Sequence, residues 1–333
     1  MVMQSRRRIR MPSEAVKQFP LEVSRIDHES GMSHLLRAFH ANGVPMKRGF
    51  GWLRVSLGKP LRSVDARVLA WAARTPADWL SERLLLTPEH HDDRWYRLAG
   101  HRLSSAACSA GRTARLCPQC VQQSGCCNLS WMLRLVSGCA RHGTLLIDLC
   151  PHCRLKIVWD RPAIDVCRCG HYLHAKEPRP SMPASVIAWV GWVERRLALA
   201  DPSLVVVSDQ DVPGMLGQLS LDGAMRLVAA FGLLRRSGDQ PQLARAAARS
   251  NAGMAALVAR GLERLRYIDT EPHRVSEIES LLHVPGIERL RAHGVDDADG
   301  QCAALLLRCL SDTGDRQRDG RGRYHRGQLP LFT

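Results

Sequence analysis

Residues 117–169 contain four short motifs rich in cysteine: CPQC at 117–120, CARH at 139–142, CPHC at 150–153 and CRC at 167–169. Two intervening residues form a tight turn that lets both side chains of a pair reach one ion. Two such pairs complete the tetrahedron that zinc prefers, and a complete tetrahedron has no open position for a substrate. The motifs therefore predict two closed, structural zinc sites.

The simplest pairing of the motifs is sequential. It predicts a Cys₃His site and a Cys₄ site, with the ligand sets Cys117, Cys120, Cys139, His142 and Cys150, Cys153, Cys167, Cys169. Interleaved pairing stays open at this point. The last motif has one residue between its cysteines, so the neighbouring histidines His152, His171 and His174 are alternatives to Cys169.

The chain has 12 cysteines, and disulfides are the alternative to metal binding. Disulfides need an oxidising compartment, and the arginine-rich residues 1–11 are not followed by an apolar run typical of an exported protein. No stretch approaches the roughly 18 apolar residues that span a bilayer. We therefore expect a cytoplasmic protein with reduced thiols, in which Cys126 and Cys127 lie between the motifs as bystanders.

The charge balance points to nucleic acid as a partner. The chain has 47 Lys and Arg against 32 Asp and Glu, a formal net charge of +15. Neutralising phosphates releases counterions and favours binding to any sequence. We expect the arginines of a flexible amino-terminal arm to contact phosphates rather than bases: Arg6, Arg7, Arg8 and Arg10.

The fold class expected from the whole chain is mainly α, with a small central zinc-ribbon module of α+β type between helical amino- and carboxy-terminal domains that are helix-turn-helix-like. The predicted parts are a basic flexible arm (1–19), a helical domain (20–112), a double zinc-ribbon module (113–176), a linker (177–184), a second helical domain (185–311) and a disordered basic tail (312–333).

Local patterns place the elements within these parts. Before the cysteines, apolar spacing predicts a helix over 30–42, a helix capped by Ser63, and a helix opened by Thr75 and Pro76. Within the zinc region, short strands are expected at 131–136, 144–149 and 156–159. Farther on, helical spacing recurs around 186–193 and 221–233. A second helix-turn-helix is predicted from helices at 276–283 and 287–293, joined by a turn at 284–286.

Three segments resemble the TniQ/TnsD family of bacterial transposition proteins. The motifs LCPQC at 116–120, CARHGTLL at 139–146 and LCPHC at 149–153, with Trp131 between them, carry the strongest part of the resemblance. The segments ESGMSHLLR at 29–37 and QLSL at 218–221 through FGLL at 231–234 extend it, so that it covers residues 20–235. The family often has an arginine directly before the tryptophan, whereas this chain has Ser130.

This resemblance implies a non-catalytic selector of transposition target sites in a bacterial mobile genetic element. Such a protein recognises DNA, directly or through an RNA-guided effector complex, and hands the site to a transposon AAA+ ATPase and a transposase. Family members often work as homodimers. The resemblance therefore implies a nucleoid-associated cytoplasmic protein with no membrane contact and no catalytic residues.

The last residues of the chain suggest a further partner. The sequence QLPLFT at 328–333 resembles the QLxLF peptide with which bacterial replication and repair proteins bind the β sliding clamp. A flexible arm would present apolar anchors to a hydrophobic cleft. The expected contact residues are Gln328, Leu329, Leu331 and Phe332. The alternative is that these apolar residues fold back onto the body of the protein.

Two other function classes compete with the adaptor. A zinc-ribbon transcription regulator would use the same basic surface without a transposase partner. A metalloenzyme would need a three-ligand site with an open position and a carboxylate base nearby, and Asp148 and Asp160 are the nearest acids. The eight candidate ligands favour two closed sites and argue against catalysis.

Overall fold

The computed structural model describes residues 18–88, 95–108, 112–173, 181–197, 212–244 and 250–318, with only the backbone of 312–318. Helices dominate, and strands are short and paired in two-stranded antiparallel sheets. The mainly α fold class with a small central module is therefore confirmed.

The helices are α1 (Gly31–Ala41), α2 (Met46–Trp52), α3 (Ser63–Ala72), α4 (Ala77–Glu82), α5 (Pro118–Ser124), α6 (Ala184–Arg196), α7 (Leu221–Gly232), α8 (Asn251–Ile268), α9 (Val284–Ala292) and α10 (Asp297–Arg318). The strands are β1 (Trp95–Leu98), β2 (His101–Ser104), β3 (Gly138–Cys139), β4 (Thr144–Leu145), β5 (Leu234–Ser237) and β6 (Gln240–Leu243).

Helix α1 lies where the sequence predicts it. The side chain of Ser30 caps its first turn by accepting a hydrogen bond from the backbone N–H of Ser33 at 3.3 Å. Asn42 ends the helix, and Gly43 follows with a φ of +65°, a conformation that costs a glycine little. The apolar face of the helix is buried, so α1 forms the centre of the amino-terminal helical region.

The next two predicted helices form, but α3 begins one residue earlier than its expected cap implies and α4 begins one residue later. Arg62 rather than Ser63 precedes α3, and its backbone N–H donates to Asp65 at 2.9 Å. Pro76 precedes α4. The hydroxyl of Thr75 does not cap this helix because it pairs with Nε2 of the buried His34 at 2.7 Å. A tertiary contact thus replaces the predicted local one.

The predicted strand at 131–136 is wrong. Residues Leu129–Met132 form a turn of 3-10 helix, and the following carbonyl groups converge on the guanidinium group of Arg115. Arg115 donates to the carbonyl oxygens of Trp131, Leu133, Arg134 and Val136. Apart from an isolated bridge between Leu133 and Cys108, this segment is held by the Arg115 side chain and not by a neighbouring strand.

The other two predicted strands are shorter than expected. Of 144–149, only Thr144–Leu145 is a strand, paired with Gly138–Cys139. Residue 147 bridges to Leu116, and Leu149 bridges to Lys156. Residues 156–159 likewise make isolated bridges, including one between Val158 and Thr113. The zinc region is consequently held by single bridges and tight turns.

The helices expected around 186–193 and 221–233 are confirmed as α6 and α7. Trp189 is fully buried in the core, as its helical spacing indicates. The pair α7 and α8 packs closely: a Cβ added to Gly261 would lie 2.3 Å from the carbonyl oxygen of Val228, so only glycine permits this approach.

The predicted second helix-turn-helix differs from the structure. Residues Pro272–Leu281 form a 3-10 helix, and α9 already begins at Val284. The predicted turn at 284–286 is therefore the first turn of α9, with Pro285 at a position where a missing N–H costs nothing. Helix α10 continues past the expected tail boundary at 311, to Arg318.

The zinc region is not a separate lobe in the described part of the chain. The backbone N–H of Ser30 donates to the carbonyl of Cys127 at 2.9 Å, and the backbone N–H of Cys127 donates to the Ser33 hydroxyl at 2.9 Å. On the other side, the buried hydroxyl of Ser130 donates to Glu194 of α6 at 2.9 Å. One continuous apolar core includes residues of all three predicted domains. Among the described residues, no helix is both long and apolar enough to cross a membrane.

Candidate metal centre

The first cluster joins a helix start to a hairpin turn. Cys117 precedes α5 and Cys120 lies in its first turn, with Pro118 at a helical position that needs no N–H donor. Cys139 ends β3, and His142 lies in the turn that leads to β4. The backbone N–H of Gly143 closes this turn on the carbonyl of Cys139 at 2.9 Å. Each pair is thus held by its own local turn.

The structure brings the four predicted ligands of the first cluster together. Their donor atoms all lie within 4.8 Å of one another. Nδ1 of His142 is 3.5 Å from Sγ of Cys117, 3.2 Å from Sγ of Cys120 and 3.5 Å from Sγ of Cys139. The Sγ atoms of Cys120 and Cys139 are 3.4 Å apart, far beyond the roughly 2.0 Å of a disulfide.

The distances between these donor atoms fit the coordination of one ion by four ligands at the corners of a tetrahedron. With zinc–sulfur bonds of about 2.3 Å and zinc–nitrogen bonds of about 2.0 Å, the edges of a tetrahedron are about 3.8 Å between sulfurs and about 3.5 Å between sulfur and nitrogen. The three sulfur–nitrogen distances of 3.2 to 3.5 Å approach that value. The cluster therefore has the donor set and the spacing to hold a metal ion.

Gln123 fixes the imidazole ring of His142. Its Oε1 atom lies 3.1 Å from Nε2 of the histidine. An amide oxygen can only accept, so Nε2 carries the proton and Nδ1 presents its lone pair to the three thiols. Such partners commonly orient metal-binding histidines. The sequence analysis did not single out Gln123, although its place on α5, three residues after Cys120, was a signal.

The second cluster is built from two tight turns. The backbone N–H of Cys150 donates to the carbonyl of Leu155 at 2.9 Å, and that of Arg154 donates back to Cys150 at 3.0 Å. Arg154 has a φ of +60° at this reversal. Cys167 makes the matching reversal, where its N–H donates to His171 at 2.9 Å and its carbonyl accepts from Gly170 at 2.9 Å.

The four thiols of the second cluster also converge, with all donor atoms within 4.8 Å. Sγ of Cys150 lies 3.8 Å from Sγ of Cys169, and Sγ of Cys153 lies 3.9 Å from Sγ of Cys167. These distances match the edge of a zinc–sulfur tetrahedron. The structure thus groups the motifs sequentially and not in an interleaved way.

Cys169, not a histidine, takes the fourth corner of the second cluster. His152 approaches it with Nδ1 at 4.0 Å from its Sγ and stacks on His171 with ring centroids 5.0 Å apart. Neither histidine belongs to the converging set. His174 lies outside the described residues. Cys169 is exposed, whereas Cys150 and Cys167 are buried.

The two cysteines between the motifs lie elsewhere. Cys126 is 3.4 Å from Nε2 of His28 and 3.6 Å from the hydroxyl of Ser124. Cys127 is buried beside the guanidinium group of Arg161, with Sγ at 3.8 Å from Nη2. Burial raises the pKa of Cys126 to about 12 and that of Cys127 to about 11. Neither thiol belongs to a converging set of metal-ligand side chains in the described residues, which agrees with a packing role.

The thiols of the first cluster have mutually shifted pKa values. Hydrogen bonds from the thiols of Cys120 and Cys139 lower the pKa of Cys117 to about 2. Donating to this thiolate raises the pKa of Cys120, and raises that of Cys139 to about 12. Cysteine binds metal as the thiolate, so filling the site would release protons.

The two acids nearest to the clusters are engaged in ion pairs. Asp148 pairs with the ammonium group of Lys156, and Oδ2 of Asp160 lies 3.5 Å from Nη2 of Arg168. Neither carboxylate belongs to a converging set of metal-ligand side chains in the described residues. With four protein donors at each cluster, an ion held there would have closed coordination.

Arg115 is the second residue of structural importance that the sequence analysis missed. It directly precedes the first motif, and its guanidinium group gathers the four carbonyl groups between Trp131 and Val136. Burial lowers its pKa to about 10, so it remains charged at neutral pH. Its contacts fix the segment that joins the first two motifs.

Two sets of predicted contact residues lie outside the described residues. The first is the arginine set of the amino-terminal arm: Arg6, Arg7, Arg8 and Arg10. The second is the clamp-binding set at the other end: Gln328, Leu329, Leu331 and Phe332. Both sets stay predictions.

Comparison with known proteins bears on the first cluster. The family model TniQ matches residues 20–146, which include the whole first cluster and end before the second. The match is shorter than the range of 20–235 over which the sequence resembles the family. No curated protein matches the chain. By this match the chain contains a TniQ domain at residues 20–146.

Proposed function

We propose that this protein is a non-catalytic adaptor of DNA transposition that recognises the target site and recruits a transposon AAA+ ATPase and a transposase. The observation that carries the proposal is the TniQ domain at residues 20–146 with a four-ligand metal cluster inside it. The TniQ family is associated with transposition, and its members are generally adaptors without catalytic activity. The formal charge of +15 supports contact with DNA.

In this proposal both clusters hold Zn²⁺ in a structural role. Zinc supplies about 10 to 16 kcal/mol in zinc-finger peptides and contributes directly to folding. The turns at Cys139 and Cys150 have little core of their own, and their backbone pairing is limited to a two-residue hairpin and isolated bridges. The metals would hold the connection between the two helical parts of the chain. They would also hold the surface residues of these turns in place.

The first test of the adaptor role is genetic context combined with binding. The DNA flanking the gene should encode an integrase-type transposase and an AAA+ ATPase between terminal repeats. The purified ATPase should then be captured by the full chain, and less so by a Cys117→Ser variant. A neighbourhood without mobile-element genes, together with no capture of any AAA+ ATPase encoded in the genome, would leave a DNA-binding regulator as the better account.

A contact with the β sliding clamp is a separate part of the proposal and rests on the sequence QLPLF at 328–332. A peptide covering 326–333 should bind purified clamp, and replacing both Leu331 and Phe332 by alanine should abolish binding, since apolar anchors dominate such recognition. Unchanged binding by the double variant would refute this contact without affecting the adaptor role.

A further inference from the structure

A basic cleft lies between α2 and the second metal cluster, with a volume of about 380 Å³. Phe50 and Val55 form part of its apolar floor. Four exposed cationic side chains line it: Lys47, Lys59, Arg112 and Arg168. These four residues define the basic cleft.

The cleft brings together cations that are distant in sequence. Lys47 is in α2, Lys59 follows in the loop before α3, and Arg168 lies between the cluster residues Cys167 and Cys169. Such a meeting of like charges from separate segments is electrostatically unfavourable unless an anion is bound or solvent screens them. The fold maintains it through backbone contacts.

Two hydrogen bonds hold the walls in register. The backbone N–H of Lys47 donates to Oδ1 of Asp160 at 3.2 Å, which ties α2 to the second cluster region. The backbone N–H of Trp159 donates to the carbonyl of Arg112 at 2.8 Å. Both bonds are made by the backbone of the cationic residues, so their side chains remain available to a ligand.

Gly58 makes room for one of the cations. Its φ is +87°, and a Cβ at this position would lie 2.0 Å from Cγ of Arg112. The stem of Arg112 therefore lies directly over the glycine, and a side chain there would push it away. The glycine in this loop therefore allows the Arg112 side chain to lie at the edge of the cleft.

The residues that the structure describes balance the positive charge of the cleft only in part. Asp160 is the one acid among its described lining residues, and it already pairs with Arg168. Lys47, Lys59 and Arg112 form no ion pair with any residue that the structure describes. Three exposed cations in one concave site are complementary to a run of phosphates.

We propose that the basic cleft binds the phosphate backbone of duplex DNA, so that the second metal cluster serves DNA binding by positioning Arg168. The proposal rests on the proposed adaptor function, which supplies DNA as the polyanion. It identifies a DNA-contact surface in the folded part of the chain, separate from the amino-terminal arm. Phosphate contacts of this kind position a protein on DNA and carry no base preference.

The test measures binding of the zinc-loaded full chain to a 30-base-pair duplex of arbitrary sequence by fluorescence anisotropy across a range of salt concentrations. Replacing Lys47 and Lys59 by glutamate should weaken binding by roughly 10- to 100-fold. Replacing Arg112 by glutamine should lower the slope of log affinity against log salt by about 1. A matched control reverses two exposed arginines of α9 and α10, Arg291→Glu with Arg308→Glu, which changes the net charge equally.

The results separate the possible explanations. Weaker binding in the cleft variant with near-normal binding in the control, at equal zinc content and melting temperature, would support the proposal. Equal losses in both variants would show a net-charge effect and overturn it, as would cleft-dependent binding of RNA but not of duplex DNA. If the cleft variant retains full DNA affinity, the cleft inference is overturned. If the wild type still captures the AAA+ ATPase in that case, the adaptor function is unaffected. If the wild-type protein does not capture the ATPase, that result would instead count against the adaptor function.

Discussion

Gln123 orients His142 for metal binding: Oε1 of the glutamine lies 3.1 Å from Nε2 of the histidine, which leaves Nδ1 facing three thiols at 3.2 to 3.5 Å. The relationship crosses from α5 to the turn after β3, so it joins the two halves of the first cluster. It shows that the cluster is organised beyond its four ligands.

Replacing Gln123 by alanine should lower the metal affinity of the first site by about 10- to 100-fold, because the histidine loses the partner that fixes its ring and tautomer. Competition with a chromophoric chelator measures the effect. Gln122→Ala is the matched control, since Gln122 is the preceding exposed residue of the same helix. Equal affinities for the two variants would mean that the hydrogen bond has no part in metal binding.

Replacing Arg115 by lysine should lower the free energy of unfolding by about 2 to 3 kcal/mol, because an ammonium group cannot serve four carbonyl oxygens in the plane of a guanidinium fork. Chemical denaturation of the zinc-loaded protein measures this change. Arg134→Lys is the control, since Arg134 donates to one carbonyl, that of Cys108, at 3.3 Å. We expect it to cost about 1 kcal/mol or less. A loss of similar size in both variants would contradict the role assigned to Arg115.

Asp222 should make stability depend on pH. It is buried in the first turn of α7, and its Oδ1 accepts hydrogen bonds from the backbone N–H of Ser104 at 2.7 Å and from the Ser104 hydroxyl at 2.6 Å. Burial raises its pKa above the ordinary value of 3.8. The native state thus binds the proton more tightly than the unfolded chain, so stability falls as pH rises from 3.8 through the raised pKa.

The variant Asp222→Asn keeps the accepting oxygen and removes the charge. Its free energy of unfolding relative to the wild type should therefore increase as pH rises above 3.8, measured by denaturation at several pH values. Asp297→Asn is the control, an exposed acid in the first turn of α10. A difference for Asp222→Asn that stays constant with pH, or that decreases, would refute this account of the buried carboxylate.

The two metal sites should differ in how readily they lose their ions. Both clusters have buried cysteines, but the second cluster includes the exposed Cys169, whereas no ligand of the first cluster is exposed. A chelator should therefore remove one ion per chain quickly and the other slowly. Cys169→Ser should remove the fast phase and leave the slow one. If Cys169→Ser removed the slow phase instead, the second cluster would be the site that loses its ion slowly, contrary to this prediction.

The sequence predicted the ligand sets well because their chemistry is local. A pair such as Cys117 and Cys120 needs only a tight turn to bring both thiols to one ion, and the two residues between them determine that turn. The strand at 131–136 failed for the opposite reason. Its carbonyl groups accept hydrogen bonds from Arg115, which lies 16 residues before Trp131. A local sequence pattern cannot predict a contact over that separation.

The start of α4 was missed for a similar reason. The hydroxyl of Thr75 reads as a cap in the sequence, but it pairs with His34 in α1. Across the expected boundary at 112/113, the Cys127 backbone is bonded to Ser30 and Ser33. Long-range hydrogen bonds decided these features, and the sequence alone does not display them.

The most direct test of the central claim is the metal content of the intact chain, measured by native mass spectrometry after purification without chelators. Two Zn²⁺ ions per chain are expected, one for each cluster of four converging ligands. Cys153→Ser should hold one ion, and Cys126→Ala should still hold two. A wild-type chain that binds one ion or none, or a Cys126→Ala variant that loses one, would contradict the assignment of two four-ligand zinc sites.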